Sequence, residues 1–465
     1  MLTYDLSKKE GILYRKLYEY IREDIRTGKL NENEKLPSKR SLARNLGIST
    51  VTVEKAYEQL MDEGYLYALP KKGYYVARVS GMQKKRKSAG GKKIVGPAQD
   101  DRVRFDFSSR KMETDGFPFS VWAKLMREII SGREKDLMTL SPCNGVRELR
   151  AAIAGHLSSF RGLSVDPDQI VVGAGTEYLY SLLIRLLGRE TPFCLENPGY
   201  SKLARIYRVS NVPISLAGMD EEGVRVDEIR RTGARVVHTS PAHHFPTGIT
   251  MSMDRRRQLL AWADEEDGRY IIEDDYDSEF RNKGRPVPPL MMLDDRDKVI
   301  YMNTFSQSLA ATIRISYMVL PESLAASYYR DLSFYACTVS TFEQYTLAAF
   351  IERGYFEKHI NRMRLHYGRK RERIIETIRR ELPRDRCRIL ENNAGLHFLL
   401  QLETGLSDRE VVSRLADRGI RIRAVTDYYM DDSGKDRHRF MVSYAGMDPD
   451  ALAGAVREVR EILFT

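Results

Sequence analysis

The sequence predicts a two-part protein: a small α+β domain of three helices and a two-stranded hairpin, followed by a large α/β domain on a mainly parallel sheet. Three observations predict it. The net positive charge is confined to the first fifth of the chain; that stretch carries three helical patterns and then two alternating strands; and from about Phe105 strand-like apolar runs alternate with amphipathic helical ones. A chain of 465 residues is ample for at least two cores, because one core usually serves about 100–200 residues. No run approaches the roughly 20 apolar residues a membrane-spanning helix needs, and the opening MLTYDLSKKE has no signal-like apolar stretch. Cys143, Cys194, Cys337 and Cys387 lie far apart with no CxxC, so neither a disulfide framework nor a cysteine zinc site is expected. A cytoplasmic protein without membrane or metal partners is the expectation.

Charge separates the two parts. Residues 1–93 hold 21 Lys+Arg against 11 Asp+Glu, a surplus of 10, and the totals of 75 and 65 leave 54 of each sign in the other 372 residues. A basic first fifth beside a neutral remainder points to a polyanion partner for that fifth, since neutralising phosphates releases condensed counterions.

Within residues 1–78, Ile12, Leu13, Leu17, Ile21 and Ile25 form one stripe at spacings near 3.6, predicting a helix that ends at Gly28. Ser38 is the expected N-cap of a short helix, SKRSLARNLG, closed by Gly47. Ser49 then opens a third helix, STVTVEKAYEQLMDEG, with Val53, Ala56 and Leu60 inward and Ser49, Thr50, Thr52 and Lys55 on the other side of its start. Two helices about a glycine turn, the second opening with hydroxyl residues, read as a helix-turn-helix with a recognition helix. YLYAL and GYYVARV alternate about the turn PKKG, a hairpin wing with Lys71 and Lys72 at its tip.

The run LPSKRSLARNLGISTVTVEKAYEQLMDEGYL…KKGYYV resembles the winged helix-turn-helix of the GntR family of bacterial repressors. The resemblance implies that Ser38 and Arg40 on the second helix, Ser49, Thr50, Thr52 and Lys55 on the third, and Lys71, Lys72 and Gly73 in the wing meet double-stranded operator DNA. Glu54 stands where some members carry a DNA-contacting arginine. Residues 79–104 are expected to be a flexible basic tether, with the run KKRK and no periodicity between VSGMQ and AQDD.

From 105 to 465 the runs QIVVGAG, TPFCLEN, ARVVHTS, YIIEDD and KVIYMNT alternate with helical stretches such as EYLYSLLIRLLG and MDRRRQLLAWADEE. Ligands of such sheets bind outside the carboxyl ends of the strands. Polar clusters fall there in order: GAGTE, whose backbone amides suit a phosphate at a helix start; ENPGY, offering Tyr200 to a flat ring; SPAHHFPTG; IIEDDYDSEFR, with Asp274 and Tyr276 one residue apart; and MNTFSQSLAATIRIS, where Thr304, Ser306 and Arg314 surround Gln307.

Together these clusters resemble a class I aminotransferase of fold-type I, and the whole chain resembles the MocR (GabR-like) subfamily of GntR regulators. The resemblance implies a pyridoxal phosphate site. Asp274 would pair with the pyridine nitrogen, Tyr276 with the ring hydroxyl, and Tyr200 with the ring face. Gly173, Ala174, Gly175, Thr176, Thr304, Ser306 and Arg314 would hold the phosphate. Arg439 in RHRFMVSYAG would grip the carboxylate of a substrate or effector, with Arg437 and Arg423 as alternatives. It implies a head-to-tail homodimer as well.

Two positions depart from the family. Gln307 stands where the Schiff-base lysine belongs, and Ala311 where a proline is usual. A carboxamide lone pair is delocalised into its carbonyl, so Gln307 is neither nucleophile nor base. The expectation is therefore a transcription regulator without efficient aminotransferase turnover and without a catalytic residue at 307. Its body would sense pyridoxal phosphate, pyridoxamine phosphate or an amine adduct held noncovalently, the effector being a small amine or amino acid. Two other readings stay open: an aminotransferase-type enzyme with a DNA-binding appendage, and a body that serves only as a dimerisation scaffold.

Overall fold

The computed structural model describes residues 4, 6, 12–78, 103–108, 116–281, 287–390, 394–431, 434 and 436–464, and the chain divides into two compact units, 1–99 and 100–465. The first unit holds helices α1 (Leu13–Arg26), α2 (Lys39–Leu46) and α3 (Thr50–Asp62), then strands β1 (Leu66–Leu69) and β2 (Gly73–Val76). The Ser38 hydroxyl accepts from the Ser41 amide to cap α2, Gly47 ends it at φ +64°, and the Ser49 hydroxyl accepts from the Thr52 amide to cap α3. Each cap satisfies an amide that the helix itself leaves without a partner. The strands pair antiparallel, Leu66 opposite Val76 and Leu69 opposite Gly73. Leu17, Ile21, Ile25, Leu42, Val53, Ala56, Tyr57, Leu60, Leu66 and Val76 share one core. The α1 stripe starts later than its spacing suggests: Ile12 and Leu13 are 64% and 44% exposed, and Tyr18 is buried beside Leu17 instead. The first turn overhangs the core, whereas Tyr18 reaches Glu63 at the end of α3 through its hydroxyl.

The second unit contains β3 (Phe105–Asp106), β4 (Ile170–Gly173), β5 (Phe193–Asn197), β6 (Ile214–Asp220), β7 (Gly223–Val224), β8 (Val236–Thr239), β9 (Tyr270–Asp274), β10 (Val299–Thr304), β11 (Ser316–Val319), β12 (Cys387–Leu390), β13 (His397–Leu402), β14 (Ile420–Arg421), β15 (Arg423–Ala424) and β16 (Arg439–Ser443). All five strand-like runs of the sequence are strands. They lie in an eight-stranded sheet of order β4-β11-β10-β9-β8-β5-β6-β7. The four pairings from β10 through β9, β8 and β5 to β6 are parallel, while β11 runs antiparallel to both β10 and β4, and β7 to β6. Adjacent residues enter different cores: Ile170 and Val172 pack in one layer and Val171 in another, and Ile271 and Ile272 divide likewise. Both sheet faces are thus covered, as parallel strands require.

A four-stranded antiparallel sheet, β12-β13-β16-β15, forms a smaller C-terminal layer with its own core around Phe398, Leu400, Phe440 and Val442. β3 pairs in parallel with β14, Phe105 opposite Ile420. Of the tether expected over 79–104, residues 79–102 lie outside the described residues. Arg104 is part of the body: its amide donates to the Gly419 carbonyl at 2.7 Å and its guanidinium reaches Glu458.

Candidate functional site

Strands β5, β8, β9 and β10 end at the same edge of the parallel sheet, and their following loops, with the helix Thr176–Leu187, enclose a cavity of about 190 Å3. Of the residues singled out in the sequence, Thr176, Tyr200, Asp274, Tyr276, Thr304, Ser306, Gln307 and Arg314 line it together. Positions far apart along the chain meet there because the strands bring their carboxyl ends together.

Asp274 closes β9, and its Oδ2 accepts from the Tyr180 hydroxyl at 2.8 Å with His238 Nε2 3.6 Å away. Tyr207 holds His238 from behind, hydroxyl to Nδ1 at 2.8 Å. The other carboxylate oxygen, Asp274 Oδ1, is buried without a hydrogen-bond partner. A buried acceptor left bare is costly, so a ligand donor belongs opposite it. Asp275 turns the other way, where Arg161 and Tyr301 both bind its Oδ2 at 2.6 Å. That anchored neighbour fixes Asp274 and Tyr276 toward the cavity. The Tyr276 hydroxyl lies 3.2 Å from His243 Nδ1, and His243 is paired with Asp277 at 2.8 Å. Tyr200, 39% exposed, packs edge-on to Phe245, which lines the same cavity.

The cations Arg314 and Lys202 line the cavity too, with Thr176, Glu177, Thr304 and Ser306. Thr304 caps the short turn Phe305–Ser308 by accepting from the Ser306 amide, and also accepts from the Ser316 hydroxyl at 2.8 Å, so its own proton remains available to a ligand. Ser306 donates to the Ile313 carbonyl at 2.7 Å and keeps only acceptor capacity. Gln307 follows on the same turn and lines both this cavity and a smaller chamber walled by His397, Met441 and Ser443.

Four of the residues singled out in the sequence lie outside the lining. Gly173, Ala174 and Gly175 are not among the lining residues. The Ala174 amide is spent on the Thr338 hydroxyl at 2.9 Å and the Gly175 amide on the Gly173 carbonyl at 2.8 Å, and the part of the turn that lines the cavity begins at Thr176. Arg439 does not enter either chamber: its guanidinium is ion-paired with Asp436, three residues before it. Met441, two residues along β16, reaches the smaller chamber instead. The alternatives Arg437 and Arg423 are exposed and line neither chamber.

Glu196 and Ser240, which open the ENPGY and SPAHHFPTG clusters, also line the cavity, as do Tyr180, Lys202 and His238, which the sequence motifs do not single out. Tyr180 lies four residues after Thr176 on one helix face, so a helical count from that motif finds it, whereas Lys202, two residues after Tyr200, follows from no such count. Burial raises the Glu196 carboxyl to about 8, and it accepts from the Thr239 hydroxyl and the Ser240 amide. Burial likewise lowers His244, 3.6 Å from Glu196, to about 3.

In the first unit Ser38, Arg40, Ser49, Thr50, Lys55, Lys71 and Lys72 are exposed, and Thr52 and Gly73 half-buried. Gly73 sits at φ +112° after the Lys71–Lys72 tip, a conformation that favours glycine. Glu54 is ion-paired with Lys39 of α2. Ser38 and Ser49 spend their hydroxyls on caps, so their first service is to shape the two helices.

A three-helix winged unit followed by a fold-type I body, whose cavity is lined by two cations and a bare aspartate, defines a regulator built on an aminotransferase frame. Residues 13–76 match the bacterial regulatory proteins of the gntR family, and residues 105–459 match aminotransferase class I and II. The chain is 37% identical to an uncharacterized HTH-type transcriptional regulator, YdeL, of Bacillus subtilis, with 90% of each chain covered. It is 31% identical to the probable rhizopine catabolism regulatory protein MocR of Rhizobium meliloti, covering 96% of this chain and 93% of the other. Identity is also 31% to the pyridoxine biosynthesis regulator PdxR of Corynebacterium glutamicum, over 96% and 94%. Kynurenine aminotransferase of Pyrococcus horikoshii has the same fold as the body, with TM-score 0.68 at 23% identity over 78% of this chain and 91% of the other. The chain belongs to the MocR-type subfamily of GntR-family HTH transcriptional regulators. Regulators with this head bind DNA operators, the fold family of the body binds pyridoxal phosphate, and its members are typically dimers. Among the described residues no helix is long and apolar enough to cross a membrane, and no group of three or more His, Cys, Asp or Glu could hold a metal.

Proposed function

We propose that the body, residues 105–465, is a receptor for pyridoxal phosphate, pyridoxamine phosphate or a cofactor–amine adduct held without a covalent link, and that it controls operator binding by the winged head, residues 1–78, through the tether 79–104. The observation that carries this is Asp274 Oδ1, buried and bare in a cavity that Arg314 and Lys202 also line. A protonated pyridine nitrogen meets the first requirement and a phosphate ester the second. When bound, pyridoxal phosphate supplies an aldehyde that combines with amines and an electron-withdrawing ring. The protein's own residues do the rest. Asp274, oriented by Tyr180 and His238, accepts the ring N–H. Tyr276 hydrogen-bonds the ring hydroxyl and Tyr200 covers the ring face. Thr176, Thr304 and Arg314 bind the phosphate, the planar guanidinium matching two of its oxygens. Gln307 reaches where a lysine would and hydrogen-bonds, but has no amine to form a bond or move a proton, so a receptor is favoured over a catalyst.

On the head, Arg40, Lys55, Lys71 and Lys72 contact phosphates while Thr50 and Thr52 approach base edges from the start of α3. The protein works in the cytoplasm as a head-to-tail homodimer reading two half-sites. A small amine or amino acid acts as effector by binding two states of the body unequally, the only way a ligand shifts an equilibrium. Titrating pyridoxal phosphate, with and without an amino-acid and amine panel, while following binding to the DNA upstream of the protein's own gene tests this. Ligand-dependent operator affinity is expected; saturable cofactor binding with operator affinity unchanged under every combination refutes the sensor, and steady conversion of an amino acid to its keto acid revives the enzyme.

A further inference from the structure

The two cations that line the cavity are already engaged by an acid of the protein itself. Glu177, second residue of the helix Thr176–Leu187, pairs through Oε1 with Lys202 Nζ, and its Oε2 lies 3.8 Å from Arg314 Nη2. All three side chains line the cavity and all three are about half exposed. The hydrogen bond from Lys202 holds the Glu177 carboxyl below the ordinary glutamate range, so it stays ionised wherever a phosphate ester is charged. The Arg314 guanidinium also lies close to Gly175, where a Cβ would collide with it. A phosphate placed on Arg314 and Thr304 would therefore share its donors with a carboxylate and be repelled by it, as like charges at one site disfavour one another.

We propose that Glu177 is a built-in rival anion, competing with a phosphate ester for Lys202 and Arg314 and so weakening the hold on phosphorylated ligands selectively. The inference rests on the body being a receptor for a phosphorylated ligand. Its consequence is a receptor whose occupancy follows ligand concentration instead of remaining saturated.

The test compares the full-length protein with Glu177→Gln and Glu177→Asp, titrated with pyridoxal phosphate, with unphosphorylated pyridoxal and with inorganic phosphate. Glu177→Gln is expected to bind pyridoxal phosphate roughly threefold to fivefold tighter, the scale of a partly exposed charge pair, with the gain shrinking at high salt. Pyridoxal affinity stays unchanged. Glu177→Asp keeps a negative charge in the first helical turn but draws it back from Lys202, so its affinity falls between the two. Unchanged or weaker binding in Glu177→Gln while the wild type binds overturns this inference and leaves the receptor standing; so does an equal gain for pyridoxal. Failure of the wild type and both variants to bind pyridoxal phosphate at millimolar concentration overturns both.

Discussion

The Arg314 guanidinium lies against the backbone of Gly175, so close that a Cβ at position 175 would collide with Nη2 and sit 2.8 Å from Cζ. Gly175 also holds φ +90°, where an L side chain is strained. The glycine turn thus contributes less through its own amides than by leaving room for the arginine. Gly175→Ala is expected to push Arg314 out of the cavity and weaken pyridoxal phosphate binding about tenfold or more, the worth of a charge-assisted contact. Calorimetric titration checks it; wild-type affinity in the alanine variant would show that Arg314 does not bind the phosphate.

Asp274 offers a second, independent handle on the same ligand. Asp274→Asn preserves size and still accepts from Tyr180, but it removes the negative charge that a protonated ring nitrogen would meet. Hydrogen bonds to charged groups are worth about 1.5–3 kcal/mol, so pyridoxal phosphate affinity is expected to fall roughly tenfold to a hundredfold. A ring that binds equally well to the asparagine variant lies elsewhere.

Which parts of this site are legible in the sequence follows from periodicity. Asp274, Tyr276, Thr304 and Gln307 follow apolar runs that could only be strands, so the runs alone announce their convergence at one sheet edge. The choice among Arg439, Arg437 and Arg423 is harder to read, because it turns on where β16 begins and which residue faces inward. The sheet alternation puts Arg439 and Met441 on one side, but Asp436 captures the arginine short of the chamber. Ion-pair capture leaves no periodic trace. The same holds for Lys202 and Glu177, whose motif neighbours are evident but whose pairing depends on two helices meeting.

Arg439→Ala is accordingly expected to leave ligand and effector affinity within about twofold of wild type, as surface substitutions away from a site do. Loss of carboxylate-effector binding in this variant, measured by competition at saturating pyridoxal phosphate, would mean that Arg439 swings away from Asp436 to meet the ligand.

Buried carboxylates set a pH dependence for the body. Burial raises Glu196 and Glu279 to about 8 and Glu273 to about 7, all above the ordinary 4.5. Between those values the folded state holds protons that the unfolded chain has lost, so stability falls as pH rises. His244 and His156, lowered by burial to about 3 and about 4, act in the opposite sense, but only up to their ordinary 6.5. Above that value the carboxylates act alone among these five groups. The unfolding temperature of the body is expected to decline from about pH 6.5 to about pH 8.5, and Glu196→Gln to flatten the decline. A rising or level profile in calorimetry would show that Glu196 ionises without penalty.

Gln307→Lys asks whether only the amine is missing. The residues that would hold the cofactor, Asp274, Tyr276, Thr304 and Arg314, line the same cavity as position 307. Position 307 lines both chambers, so a lysine there would open onto the space of a bound aldehyde. An amine is the only chemical group the substitution adds. Borohydride treatment of Gln307→Lys with pyridoxal phosphate is expected to fix the cofactor covalently at position 307, while the wild type releases it on denaturation. Efficient transamination does not follow automatically, because Met441 rather than a guanidinium faces the smaller chamber and a substrate carboxylate lacks a cation there among the described residues. Covalent trapping without turnover would show that the frame holds the cofactor in register but has lost its grip on an amino acid. Absence of trapping in the lysine variant would mean that the ring does not sit where Asp274 and Arg314 together place it.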